Sequence, residues 1–479
     1  MTMLRRPAPA IRIGSPARTH PAPVWIRAFA AGVTVAAVAV AVVLATAASS
    51  LHDGLTVLGH RTAPQVAATE DLYLALSDMD AQLANVLLAG DDSSLATIRD
   101  AATRTFETDR TRASTDLQQA ATVAGDDADA QRTVREALLQ FGRYQSLAAQ
   151  TIQRSDLEGN DAGKPSGYLL SLQKQATDAM RATLGLARQL ATRNAATFEQ
   201  SYQDTRSGTV FARWWLVPLG GLLLAALVGL QVVLRVMMHR RLNPAVALAT
   251  LLAGWLVIGG TVLLAGGSED LRTAKEDAFD SLIALRQARA VSYDLNADES
   301  RYLLDDRRAA GYEADFLDKS ERLLGLGANS GSQYGEWLVT VLGAYRAAHQ
   351  DVRFSGLFAV AVRNVTFAGE QRAVERILST FQQYQGDDRV MRAKVATGDR
   401  RGAIEFCVSD SPNTSNYDFY RYDRALDELI DINQRAFDSN IAAGESAVGG
   451  WTGLFPFGAA APIVVLVAVG VWPRLAEYR

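Results

Sequence analysis

Residues 217–234 read VPLGGLLLAALVGLQVVL, residues 245–265 read AVALATLLAGWLVIGGTVLLA, and the segment between them, 235–244, is RVMMHRRLNP. Only Gln231, Thr250 and Thr261 interrupt the two apolar runs. A helix crosses a hydrocarbon core of ~30 Å with about 18–20 apolar residues, so each run is long enough for one span. Arg235, Arg240 and Arg241 lie in the connector. Lys and Arg in short loops mark the cytoplasmic side. The stretch therefore predicts a helical hairpin that dips into the cytoplasm, with the chain before and after it outside.

Two further apolar runs, Val24–Ala48 and Thr452–Val471, complete a set of four. The predicted order is a basic, Pro-rich cytoplasmic tail (1–24), span 1 (25–48), an extracytoplasmic four-helix bundle (49–211) and span 2 (212–234). A basic cytoplasmic loop (235–244), span 3 (245–266), a second extracytoplasmic helical domain (267–450), span 4 (451–472) and a short cytoplasmic end (473–479) follow. The fold class is an all-α integral membrane protein with two duplicated outer helical domains and both termini cytoplasmic. The first run resembles a secretory signal, since Arg-rich residues precede it and Ala45-Thr-Ala-Ala-Ser49 follows. It is longer than the 7–15 residues of a signal core, which favours an uncleaved anchor.

The net charge of −4 hides a partition. The segments assigned to the cytoplasm, together with Arg27 at the inner edge of span 1, carry ten arginines against the single acid Glu477, which leaves 38 bases and 51 acids elsewhere. So acidic a surface disfavours nucleic acid and anionic lipid as partners. The lone cysteine, Cys407, forms no internal disulfide and reads as a small packing residue.

Within 51–90, Leu72, Leu76, Met79, Leu83, Val86 and Leu87 make one apolar helical stripe, with Asp71, Asp78, Asp80 and Gln82 expected on a solvated face. Gly90–Ser94 reads as a turn, with Ser93 or Ser94 as cap. Helices over 95–124 and 128–154 follow, the second burying Val134, Leu138, Phe141 and Leu147, and one from Tyr168 continues into span 2. The second half repeats the plan. Asp78 matches Asp294, Ala81 matches Ala297, and Leu87-Leu88 matches Leu303-Leu304, each 216 residues on. Phe141 and Tyr144 match Phe381 and Tyr384 at 240. The additional residues fall between Gly325 and Gly369, where Phe354–Val362 is too short to span and is expected to be buried or partner-facing. Asn364-Val-Thr366 and Asn413-Thr-Ser415 fit the glycosylation pattern but carry no weight.

Little in the chain suggests chemistry. No phosphate-binding glycine loop and no Cys/His cluster with metal spacing is present, and the reading calls for no cofactor and no catalytic residue. No ionisable residue lies in the middle of a span, which argues against a pump. Small-residue triplets at Ala28/Gly32/Ala36 and Gly221/Ala225/Gly229 permit close helix approach. Five of seven tryptophans (Trp25, Trp214, Trp215, Trp451, Trp472) sit at span edges, as interfacial anchors do, while Trp255 is expected in the core. Asp78, Asp80, Asp294 and Asp298 invite a ligand or metal site, although a solvated polar face is the simpler expectation. Arg235, His239, Arg240 and Arg241 are the candidate contact for a cytoplasmic partner, with topology alone as the simpler explanation.

The stretch LYLALSDMDAQLANVLLAG (72–90) resembles the opening helix of four-helix-bundle sensor domains. The layout as a whole resembles an actinobacterial family of four-span membrane proteins. The resemblance implies a protein that relays amino-acid occupancy of a glutamate/glutamine-binding lipoprotein outside to the soluble Ser/Thr protein kinase G inside. The segments assigned to the cytoplasm are too short to bury a core. The expectation is thus a non-enzymatic sensor-adaptor, embedded in a bacterial plasma membrane and open to homo-oligomerisation. A scaffold of an envelope complex and a transporter accessory subunit are the alternatives.

Overall fold

The computed structural model describes residues 22–238 and 243–476. The described residues are helical throughout, apart from loops and one isolated antiparallel bridge between Gly325 and Ser355. The helices are α1 (Ala22–Val57), α2 (Ala63–Ala89), α3 (Ala96–Ala124), α4 (Ala128–Glu158), α5 (Gly167–Met238), α6 (Pro244–Arg272) and α7 (Asp280–Leu304). They continue with α8 (Ala309–Leu323), α9 (Gly331–Ala347), α10 (Leu357–Arg363), α11 (Glu370–Ala396), α12 (Arg400–Val408), α13 (Ser415–Gly449) and α14 (Phe455–Ala476). π-helical turns at Leu58–Thr62 and Thr273–Phe279 join α1 to α2 and α6 to α7. Four helical stretches are long and apolar enough to cross a membrane: Val24–Ala89, Gly167–Val236, Pro244–Leu304 and Phe455–Pro473.

The chain divides into two compact units. The first holds the described parts of Met1–Ser50, Gly208–Ala265 and Val448–Arg479. Its helices approach closely at glycines. A Cβ on Gly260 would lie 2.3 Å from Leu44 Cδ2, and one on Gly220 would lie 2.5 Å from Val257 Cγ1. Of the small-residue triplets, Gly229 meets Phe29, whereas Gly32 and Gly221 face open space. Trp255 is 54% exposed, not core, with its ring 5.7 Å from that of Trp451. An apolar medium outside the helices removes the driving force to bury such a ring.

The second unit gathers Leu51–Ser207 and Gly266–Ala447, so the two segments read as separate outer domains are joined in one compact body. Leu72, Leu76, Met79 and Leu83 of α2 share a core with Phe106 and Leu117 (α3), Phe141 and Tyr144 (α4), Ala176 and Met180 (α5), and Ala290 (α7). A second core is aromatic, with Phe358, Phe381, Tyr384, Phe419 and Tyr422 in mutual ring contact. Edge-to-face and offset ring pairs of this kind add about 0.5–1.5 kcal/mol each beyond area burial.

Three details correct the sequence expectations. The polar face of α2 is not solvated: Asp80 and Gln82 are buried, because α2 is covered on several sides by α3, α4, α7 and α12. On α4 the buried residues include Val134, Ala137, Phe141 and Tyr144, while Leu138 is 38% exposed. Neither Ser93 nor Ser94 caps α3; instead Asp92 accepts from the backbone N–H and the hydroxyl of Ser94, at 2.9 and 2.7 Å. The segment Phe354–Val362 is largely buried, with α10 packed on α7.

The π turns have local causes. Pro64 lacks an N–H and its ring crowds the carbonyl four residues back, which widens the helix just before it. At the second turn, Asn364 Nδ2 donates to the carbonyls of Glu276 (2.7 Å) and Asp277 (2.9 Å) that the widened helix leaves available. An asparagine that matches a glycosylation pattern is here a clamp on a helix irregularity.

Candidate functional site

α2 and α7 run side by side in the same direction, because their contacts advance together along both. Gln287 Nε2 donates to Glu70 Oε1 (2.9 Å), Arg286 pairs with Asp71 (2.6 Å), and Ser300 Oγ donates to Asn85 Oδ1 (2.6 Å). The separations along the chain are 217, 215 and 215 residues. Two charged sites lie along this helix pair.

The first is a buried ion lattice. Asp294, Asp298 and Arg301 fall at i, i+4 and i+7 on one face of α7. The Arg301 guanidinium bonds Asp80 of α2, Asp298 at 2.6 Å and Asp294 at 3.4 Å. Lys319 of α8 bonds Asp298, Asp294 at 2.9 Å and the Asp294 carbonyl at 3.1 Å. Thr177 of α5 donates to the other oxygen of Asp80 at 3.3 Å. Arg301 and Asp80 are each 2% exposed and Asp298 is fully buried. Burial pushes the Asp294 carboxyl up, but Lys319 and Arg301 together outweigh it and hold it at about 2. The guanidinium and ammonium stand where a metal would have to sit, so the lattice locks helix register. Removing one partner of such a buried set costs about 3–5 kcal/mol. Asp78 does not join it. It accepts from Gln82 at 2.7 Å, and burial together with the neighbouring Asp109 of α3 raises its carboxyl.

The second site is a cleft of about 530 Å³ lined by Glu70, Tyr73, Arg188, Gln287, Arg322 and Leu357, among others. Arg188 of α5 donates to the Tyr73 hydroxyl at 2.8 Å and lies over its ring, 5.4 Å from the centroid. Glu70 is buried, with Gln287 as its hydrogen-bond donor. Burial pushes its carboxyl up to about 7, against the opposing pull of Gln287. Gly356, at φ +86°, closes one wall: a Cβ there would lie 2.7 Å from the Arg322 carbonyl oxygen. Only glycine allows the start of α10 to approach α8 this closely.

Of the sequence candidates for an inner contact, Arg235 is exposed on α5. His239, Arg240 and Arg241 lie outside the described residues. Asp80, Asp294 and Asp298 come together through Arg301 and Lys319, whose roles sequence reasoning missed. The signal available was the i, i+4, i+7 spacing of Asp294, Asp298 and Arg301, which meets Asp80 only once α2 and α7 lie side by side. Glu70, Arg188 and Arg322 had no such signal, because α2, α5 and α8 bring them together only in the fold. Cys407 is buried in an apolar cluster with Leu87, Leu303 and Ile404, and burial pushes its thiol up.

These features define an all-helical protein with apolar helices compatible with a membrane and a polar, cleft-bearing helical unit. Residues 54–203 match the family model described as actinobacterial sensor domain, which supports reading the chain as an actinobacterial sensor protein. The match covers α2–α4 and the first part of α5. No curated protein and no solved structure matches the chain.

Proposed function

We propose that this protein is a non-enzymatic transmembrane sensor-adaptor, whose helical unit faces the cell exterior and reports the ligand state of an extracytoplasmic amino-acid-binding lipoprotein to a separate cytoplasmic kinase. The observation that carries the reading is α5. It is one helix of 72 residues, contributing Ala176, Met180 and Leu184 to the helical core and ending in the apolar run before Arg235. A continuous helix transmits rotation or axial shift stiffly, and a coupling of only ~1–3 kcal/mol changes a partner's affinity several-fold or more. The sensor-domain match supports the same reading.

We also read the chain as an internal duplication into two helical halves, the second with additional residues. The nearly constant separation of 215–217 residues along α2 and α7 supports it. So do π turns beginning at Leu58 and Thr273, and buried Phe–Tyr pairs at Phe141/Tyr144 and Phe381/Tyr384.

The test is a pull-down of the purified full-length protein with a purified glutamate/glutamine-binding lipoprotein, with and without its amino acid. Recovery that changes several-fold with ligand is expected. Equal recovery in both states counts against relay and favours a scaffold.

A further inference from the structure

The lattice is closely ion-paired, although Arg301 Nε is left without a hydrogen-bond partner among the described residues, whereas the arginines of the cleft beside it make no ion pair there. Arg322, half-buried on α8, makes no ion pair and no side-chain hydrogen bond among the described residues. Among the described residues Arg188 donates only to a neutral phenol and lies over its ring, which fixes the guanidinium without neutralising it. Two positive groups therefore line one cavity without an ion pair among the described residues; Glu70, which shares the cavity, feels the Arg188 charge but does not bond to it. A guanidinium in partly desolvated surroundings is the side chain best suited to hold a carboxylate through paired N–H donors.

The same cavity contains one acid, Glu70, whose sole hydrogen-bond donor among the described residues is Gln287. A carboxylate has about four acceptor positions, so most of its capacity is available to a donor entering the cleft. Ala191, Ala195, Val291 and Leu357 supply apolar wall between the polar groups. The volume lies within the 300–1,000 Å³ of small-molecule sites.

We propose that this cleft binds a small zwitterion directly, with Arg188 and Arg322 taking its carboxylate and Glu70 its ammonium group. Free α-amino acids have this pattern of charge. Tyr73 is a positioning residue that holds Arg188, and Gln287 is one that orients Glu70. The proposal deepens the sensing reading and rests on it for its biological use, since an outer unit with its own ligand site senses without waiting for a partner. Such a ligand would bridge α2, α5 and α8, and so bias the helix that carries the signal.

The experiment is calorimetric titration of the full-length protein in detergent or nanodiscs at pH 7.5. The probes are the individual L-amino acids, with succinate and putrescine as one-ended controls. At least one amino acid should bind with Kd below about 1 mM. Succinate and putrescine should bind at least tenfold more weakly. Arg188→Gln and Arg322→Gln should each weaken the amino acid tenfold or more, while Arg143→Gln on the exposed face of α4 changes nothing. Glu70→Gln should narrow the preference for the amino acid over its deaminated analogue. A cooperative melt with a midpoint no lower than that of the unsubstituted protein establishes that these variants fold; an arginine variant that fails this test is replaced by the corresponding Arg→Lys, expected to weaken binding at least threefold. The proposal is overturned by a silent titration with every amino acid, by succinate binding as tightly, or by affinity that survives both arginine variants. Because binding is read without a partner, a silent cleft with a ligand-dependent pull-down removes this inference alone. A titrating cleft with a ligand-independent pull-down removes the relay.

Discussion

Two groups of charge lie along the same parallel helix pair, and they are built on opposite principles. In the lattice, Asp80, Asp294 and Asp298 meet Arg301 and Lys319 in a cluster that is buried except for the partly exposed Asp294. In the cleft, Arg188 and Arg322 share a cavity with Glu70 and have no comparable partners. A closely ion-paired buried network rigidifies and specifies one arrangement, while charge without an ion partner is available to something else. The difference separates a part of the molecule that holds register from a part that can respond.

The contrast is broken most sharply at Arg301. Arg301→Met leaves Asp80 without its ion partner and Asp294 and Asp298 with Lys319 alone, and should destabilise by about 3–5 kcal/mol, read as a fall in the thermal midpoint of the purified protein. A change below about 1 kcal/mol would mean that the lattice does not lock α2 to α7. Next comes the cleft wall. Gly356→Ala forces an L-residue to φ +86° with its Cβ against the Arg322 carbonyl, and should cost about 1–3 kcal/mol.

A titration sharpens the comparison further. The Glu70 carboxyl is raised to about 7 from an ordinary 4.5, so the stability it contributes is fully present below about 4.5 and is lost as pH rises through 7. Asp387, raised to about 7 by burial and by Asp418, adds to the same slope. Glu70→Gln should therefore flatten the fall in stability between pH 4.5 and 7.5, by about 1–3 kcal/mol at the upper end, with the Asp387 part remaining. Asp294, held at about 2, acts oppositely: its contribution is present above about 4 and lost toward pH 2. The smallest effect belongs to Arg322→Gln. With no ion pair to lose, it should change stability by less than about 0.5 kcal/mol, in contrast to Arg301.

Much of the scaffold was legible in the residues. The apolar runs around 217–234 and 245–265 define helices by length alone, and the 3.6-residue stripe from Leu72 to Leu87 reappears as the buried side of α2. The separation of 216 between Asp78 and Asp294 is close to that of the α2–α7 contacts. What stayed hidden is tertiary. A polar face on one helix reads as solvated until a second helix covers it, and Asp80 became a buried ion only because α7 brought Arg301 alongside. Lys319 and Arg322 lie on α8, a short helix whose composition does not distinguish it from solvent-facing surface. The residues that line the cleft span Glu70 to Leu357, so no local pattern could assemble them.

The central claim is orientation, with the helical unit outside the cell. It is tested most directly by replacing Cys407 with serine and introducing cysteine at Gln140 or Gln383 in turn. Each variant is then treated in intact cells with a membrane-impermeant maleimide. Both positions should label fully before lysis; labelling that requires lysis would place the unit in the cytosol and contradict the account.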